Sequence, residues 1–142
     1  GGTIGTYSAY YLFLPHATPV NMVFDSVNQA FIPLPLCNAF GTANLTGPST
    51  TRVYTASGNG KVRICHVSGS FTAATDFQIV QGTGTNCGTG QAALTQTYQE
   101  VLTVALNFGD GIGINEFTQD VCIVLGAVAT GGVLVVVSDS PY

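Results

Sequence analysis

Residues 61–90 read KVRICHVSGSFTAATDFQIVQGTGTNCGTG, and this stretch decides the fold class. Val62, Ile64 and His66 alternate with Arg63, Cys65 and Val67, the period-two pattern of a half-buried strand. Ser68-Gly69-Ser70 reads as a small turn, Phe77-Gln78-Ile79-Val80 as a second strand, and Gly82-Thr83-Gly84 as its end. A glycine-rich loop pinned by Cys87 follows. Upstream, Ser57-Gly58-Asn59-Gly60 is a turn signal that predicts a hairpin from a strand at 50–56 into the one at 61–67. Before that, 38–49 is small and polar, with Gly41, Gly47 and Pro48, and reads as a loop or a broken strand.

Downstream, 91–106 is the one place where a helix competes. Leu94, Tyr98, Val101, Leu102 and Ala105 roughly match helical spacing, but Thr95, Thr97, Val101, Thr103 and Val104 are β-branched. The expectation is a strand with at most one helical turn. A turn at 107–111, a short strand at 112–117, strands at 121–125 and 133–137, and a tail at 138–142 that leaves the sheet complete the pattern. Roughly eight to ten short strands at this spacing predict an all-β chain, folded as one β-sandwich or jelly-roll-like domain over 20–142.

Residues 1–19 form an N-terminal arm. Its segment 6–14 is β-prone and apolar on both faces and stops at Pro15, so it wants cover on both sides. It is either a strand of its own fold or an assembly arm, through Tyr7, Tyr10, Tyr11, Leu12, Phe13 and Leu14, that adds to the sheet edge of a neighbouring subunit. A short strand at 20–24 and an extended segment at 27–36, restricted by Pro33 and Pro35, lead into Cys37.

Charge is scarce. Of 142 residues 7% are charged, where an ordinary soluble domain carries roughly 25%. Three Lys and Arg against seven Asp and Glu leave no basic patch to neutralise phosphates, which argues against nucleic acid as a partner. Either much of the surface faces other protein, or Thr, Ser, Asn and Gln do the solvating. No run reaches the ~20 apolar residues of a membrane-spanning helix. The chain begins Gly1-Gly2 rather than with Met, as expected if a leader or initiator Met has been removed or the form is processed.

Four cysteines with no zinc spacing favour disulfides and an oxidising, extracellular setting. Three connectivities are open. Cys65–Cys87 with Cys37–Cys122 would staple the central strand to the loop after its partner and tie the early extended segment to a late strand. Cys65–Cys122 with Cys37–Cys87 is the strand-centred alternative. Asn44-Leu45-Thr46 is an N-glycosylation sequon, making Asn44 a candidate glycan site.

Catalytic patterns fail one by one. His16 and His66 are the only histidines, and no serine sits in a G-x-S-x-G elbow. Asp25, Asp76, Glu100, Asp110, Glu116 and Asp120 are scattered. Gly109-Asp110-Gly111 with Asn115 and Glu116 hints at calcium but lacks the D-x-[DN]-x-[DN]-G run. The loop at 82–88 places Cys87 where a dinucleotide fingerprint needs its third glycine, and no Gly-Lys-[Ser/Thr] follows for a phosphate loop. The expectation is a non-enzymatic protein with no catalytic, cofactor-binding or metal residues.

Cys37, then GKVRICHVSG, FQIVQGTGTNCGTGQAALT, DVCIVLGA and a final Val-rich strand form a recognisable order. Over about residues 36–138 it resembles a group of small, four-cysteine, all-β proteins of phage and prophage genomes, whose hallmark is a K-[IV]-x-[IV]-C strand followed by GTGTxCGTG. The resemblance implies a virion-associated structural role, such as a capsid decoration or fibre protein, with identical subunits and a major capsid or fibre protein as partners. The arm at 1–35 is extra to that pattern and keeps a secreted extracellular filament, assembled by strand donation, as the alternative. A carbohydrate-binding module using Tyr98 or Tyr142 is a further alternative, weakened by the absence of Trp.

Overall fold

The computed structural model describes residues 10–12, 20–25, 30–33, 37–58, 60–109 and 114–141. The chain divides into two compact units, Gly1–Pro35 and Leu36–Pro141. In the first, strands β1 (Tyr10–Leu12), β2 (Val20–Asp25) and β3 (Ala30–Pro33) form an antiparallel sheet in sequence order. The expected boundary between residues 19 and 20 is therefore corrected to 35 and 36. The strands at 20–25 and 30–33 find their ladder partners in this small sheet and not in the larger one.

The second unit is built on one strand. β6 (Lys61–Thr83) runs for 23 residues, and the other strands are arranged along its two edges. They are β4 (Ala39–Thr46), β5 (Ser49–Tyr54), β7 (Thr89–Ala93), β8 (Tyr98–Asn107), β9 (Ile114–Phe117), β10 (Asp120–Leu125) and β11 (Thr130–Ser140). Along one edge β11 pairs with the first half of β6, as far as Phe71, and β10 takes over from Phe77. Along the other lie β9, β8 and β7 in turn. The path β4-β11-β6-β10-β5 nearly closes, because its two end strands β4 and β5 are consecutive in the chain and come back within touching distance without pairing in a ladder. Gly41 makes that approach possible: a Cβ there would sit 2.1 Å from the Val53 carbonyl oxygen. All-β is thus the observed class, with every ladder antiparallel and no α-helix among the described residues.

The closure requires β6 to turn a corner between Phe71 and Phe77. There its register with β8 shifts twice. The turn joining β10 to β11 is stitched onto the same corner. Gly126 N–H donates to the Asp76 carbonyl (3.0 Å), Ala127 N–H to Thr75 Oγ1 (3.1 Å) and Thr130 N–H to Thr72 Oγ1 (3.1 Å). Each bond satisfies an amide that the sheet ladder leaves over. Phe71 and Phe77 bracket the corner with ring centroids 6.0 Å apart. Inside the ring lie Val62, Ile64, Val67, Ile79, Ile123 and Val135, all essentially inaccessible to solvent. Each such side chain contributes roughly 1.5–3 kcal/mol by leaving water.

Several expectations are overturned here, each for a pairing reason. Ser68-Gly69-Ser70 is not a turn: β6 runs straight through it. Gly69 is there because β11 crosses closely, where a Cβ would stand 2.7 Å from Val133 Cγ2. Residues 50–56 and 61–67 do not form a hairpin, since β5 pairs with β10 and the segment after it crosses to begin β6 elsewhere. Residues 39–46 are a full strand rather than a loop, and the tail continues in β11 to Ser140. The competition at 91–106 resolves to strand and not helix, but the single expected strand is split into the end of β7 and β8 by a break at 94–97, where Thr95 and Thr97 lie.

The disulfides are Cys37–Cys65 and Cys87–Cys122, neither of which belongs to the two connectivities favoured above. Cys65–Cys87 fails because both halves of 61–83 are one strand, which puts Cys65 near its start and Cys87 beyond its end. Cys65 is the extra residue of a bulge: Val136 faces His66 while Val137 faces Ile64. The bulge switches the buried parity of β6 from Val62 and Ile64 to Val67, Phe71, Phe77 and Ile79. Cys122 lies opposite Val80 on β10, and with Cys87 these residues form a second small buried cluster. A bridge closing loops of 28 or 35 residues removes roughly 3.5–4 kcal/mol of freedom from the unfolded chain in the entropy model.

Candidate functional site

The face of β4-β11-β6-β8 turned away from the core carries the most unusual surface of the second unit. Cross-strand register lays its residues out in rows. Asn44, Gly132, Ser70 and Thr103 form one, Thr42, Leu134, Ser68 and Ala105 the next, and Phe40, Val136, His66 and Asn107 the third. Period two dictates this, because each residue alternates with a core residue such as Leu45, Val67, Val104, Val133 or Val135. No Asp, Glu, Lys or Arg appears in any of the three rows. Small side chains leave a shallow depression of about 660 Å³ lined by Thr42, Asn44, Ser68, Ser70, Gly132 and Leu134. It runs past Leu134 into a second depression of about 480 Å³, floored by Phe40, Leu134 and Val136. Phe40 is 68% exposed, although a phenyl ring normally gains several kcal/mol by leaving water.

β8 borders this face, and among the described residues it pairs with β6 alone. Its other backbone edge from Val101 to Asn107 carries no charge and no proline. Glu100 stands just before that run with φ 52°, and Leu102 is 53% exposed.

Three of the carboxylates hold backbone amides. Asp120 accepts from the Ala56 amide (2.9 Å) and lies 3.5 Å from Arg52. Asp76 accepts from the Glu100 amide (3.3 Å). Asp139 is the most elaborate: Tyr54 Oη and Ser57 N–H donate to Oδ2 (2.5 and 2.9 Å), and Ser57 Oγ donates to Oδ1 (2.8 Å). Its backbone exchanges bonds with the Asn38 side chain (2.9 and 3.2 Å). Burial alone would push the Asp139 carboxyl up, but the donors from Tyr54 and Ser57 outweigh it and hold it below the usual carboxylate range. Burial first, then the bond to Asp139 and its charge, push the Tyr54 phenol well above its ordinary value. This latch fixes the end of β5 to the end of β11. The expected departure of the tail from the sheet concealed it, and Tyr54 carried no signal beyond its place in a threonine-rich strand.

The candidate residues read from sequence fall in different places. Asn44 is exposed within β4 on the uncharged face, with Leu45 of its sequon buried. His66 is half-buried on the same face. Tyr98 is half-buried and packs against the core. Of the arm, Tyr10, Tyr11 and Leu12 lie in β1, paired with β2, while Tyr7, Phe13 and Leu14 are outside the described residues. His16, Asp110 and Tyr142 are outside them as well.

The loop at 82–88 is scaffold. Gly82 lies where a Cβ would be 2.6 Å from Cys87 Cβ, and the 3₁₀ turn Thr85–Cys87 offers Asn86 Oδ1 to the Arg52 amide (3.0 Å). Among the described residues no group of three His, Cys, Asp or Glu could hold a metal ion, and no helix is long and apolar enough to cross a membrane. No family model matches the chain, and no curated protein or solved structure is significantly similar to it.

Proposed function

We propose that this chain is a non-enzymatic structural subunit whose sandwich-like second unit self-assembles into a larger particle, a virion component of the capsid-decoration or fibre kind. The observation that carries the reading is the uncharged face of β4-β11-β6-β8. A subunit that lived alone in water would interrupt such a face with Lys or Glu, whereas one that docks on protein gains by leaving small hydroxyls and Phe40 there. Asp76, Asp120 and Asp139 hold backbone amides of the fold. Two intrachain disulfides are compatible with an oxidising, extracellular or virion-surface location. The order of motifs along 36–138 adds the phage resemblance. Electron microscopy of native assemblies tests it: closed particles carrying the chain are expected.

The edge of β8 away from β6, which pairs with no strand among the described residues, favours a second reading, a subunit of a secreted filament built by strand addition. Continuous fibres in the same micrographs would replace the virion reading with this one.

A further inference from the structure

Edge strands in soluble proteins are guarded, by lysine, proline, a bulge or simple shortness. β8 is ten residues long, and its only charge, Glu100, stands outside the run VLTVALN at 101–107. Its inward side chain Val104 is core, and its outward ones, Thr103 and Ala105, are exposed. Such an edge asks for another extended strand, and the run itself indicates which one.

We propose that β8 pairs antiparallel with β8 of a second copy of the chain, on a two-fold axis through Val104. This rests on the self-assembly reading and names its first interface. In that register Thr103 faces Ala105 of the partner subunit and Leu102 faces Leu106 of the partner subunit. Odd positions meet odd and even meet even, so core-side residues stay on the core side, and the two uncharged faces merge into one. Leu102, half in water within one subunit, gains an apolar cross-strand neighbour. Glu100 falls opposite Phe108 of the partner subunit, so no like charges meet, in a chain whose net charge of −4 would otherwise oppose association. The contact is isologous and closes at two. Main-chain hydrogen bonds supply its affinity, as in other strand-addition complexes.

The test uses charge swaps at the two exposed positions that face one another. In sedimentation equilibrium at graded concentrations the full chain should dimerise. Thr103→Lys with Ala105→Lys, and Thr103→Glu with Ala105→Glu, should each weaken dimerisation at least tenfold while circular dichroism stays native. An equimolar mixture of the two variants should form a one-to-one heterodimer. If both variants associate as the parent does, or the mixture fails to associate, the β8 interface is wrong although self-assembly stands. A parent that is monomeric throughout overturns both. Should the lysine pair prevent folding, Leu102→Lys at the exposed neighbouring position carries the same expectation.

Discussion

The two faces of β6 are made from the same strand, yet they answer to different demands. Toward the core stand Ile64, Val67, Phe77 and Ile79, fully enclosed and in contact with β10 and β11. Toward the outside, across the β11 and β8 rows, stand His66, Ser68 and Ser70. The inner face is constrained in volume, so nearly any change there is felt as stability. The outer face is constrained in charge, so changes there should be felt by partners and hardly by the fold. The difference teaches where to look for function: at the surface whose composition stability does not explain.

The inner face can be broken at its corner. Phe77 is 0% exposed, and its ring centroid lies 6.0 Å from that of Phe71, the rings tilted against each other, where β6 changes neighbours. Phe77→Ala should cost about 3–5 kcal/mol through lost burial and a residual cavity, read as a lowered denaturant midpoint at unchanged slope. A cost under about 1 kcal/mol would mean that the corner is not packed as described.

A smaller effect comes from the latch at the sheet's end. Asp139→Asn keeps the shape but weakens the charge-assisted bonds from Tyr54 and Ser57. In a partly solvated site this should cost about 1 kcal/mol at neutral pH. The pH dependence follows from the signs. The folded Asp139 carboxyl is held below its unfolded value, so its contribution is present above the unfolded value and is lost as pH falls through the folded one. The Tyr54 phenol is raised, so its contribution is present below the unfolded phenol value and is lost as pH rises through the folded one. Thermal scans should therefore show the parent losing its advantage over Asp139→Asn in acid. An unchanged difference at low pH would exclude Asp139 as the group responsible.

How much of this was readable beforehand divides along the same line. Strand identity came through in β-branched residues and period-two runs, and β2, β8 and β10 lie where those signals put them, whereas β7 (Thr89–Ala93) begins inside what reads as the glycine-rich loop. Partnership did not. Ser57-Gly58-Asn59-Gly60 signals a turn but cannot say that the next strand pairs elsewhere, because register is fixed by non-local packing. Ser68-Gly69-Ser70 has turn composition for a reason of packing, since Gly69 lies under Val133. The bulge at Cys65 hid the parity switch, and the supposed turn split β6 in two, which misdirected the disulfide pairing. The charge deficit was visible from composition. Its concentration on one face was not, because only the register aligns Thr42, Leu134, Ser68 and Ala105.

The outer face gives the finest division between fold and partner. Thr42 lies on β4, three strands away from the β8 edge, and is exposed in the middle of the uncharged rows. Thr42→Lys places one cation on that face without touching the core, so folding stability should move by less than about 0.5 kcal/mol. Assembly responds differently according to which contact matters. If the face docks on protein, a buried unpaired ammonium there costs far more than it does in water, and particles or higher oligomers should be lost. The β8-mediated dimer, remote from Thr42, should survive. Sedimentation of Thr42→Lys at concentrations where the parent assembles beyond a dimer reads both contacts at once. Loss of the larger species with retention of the dimer assigns face and edge separate roles, whereas unchanged assembly would show that the uncharged face is solvated by its hydroxyls and meets no partner.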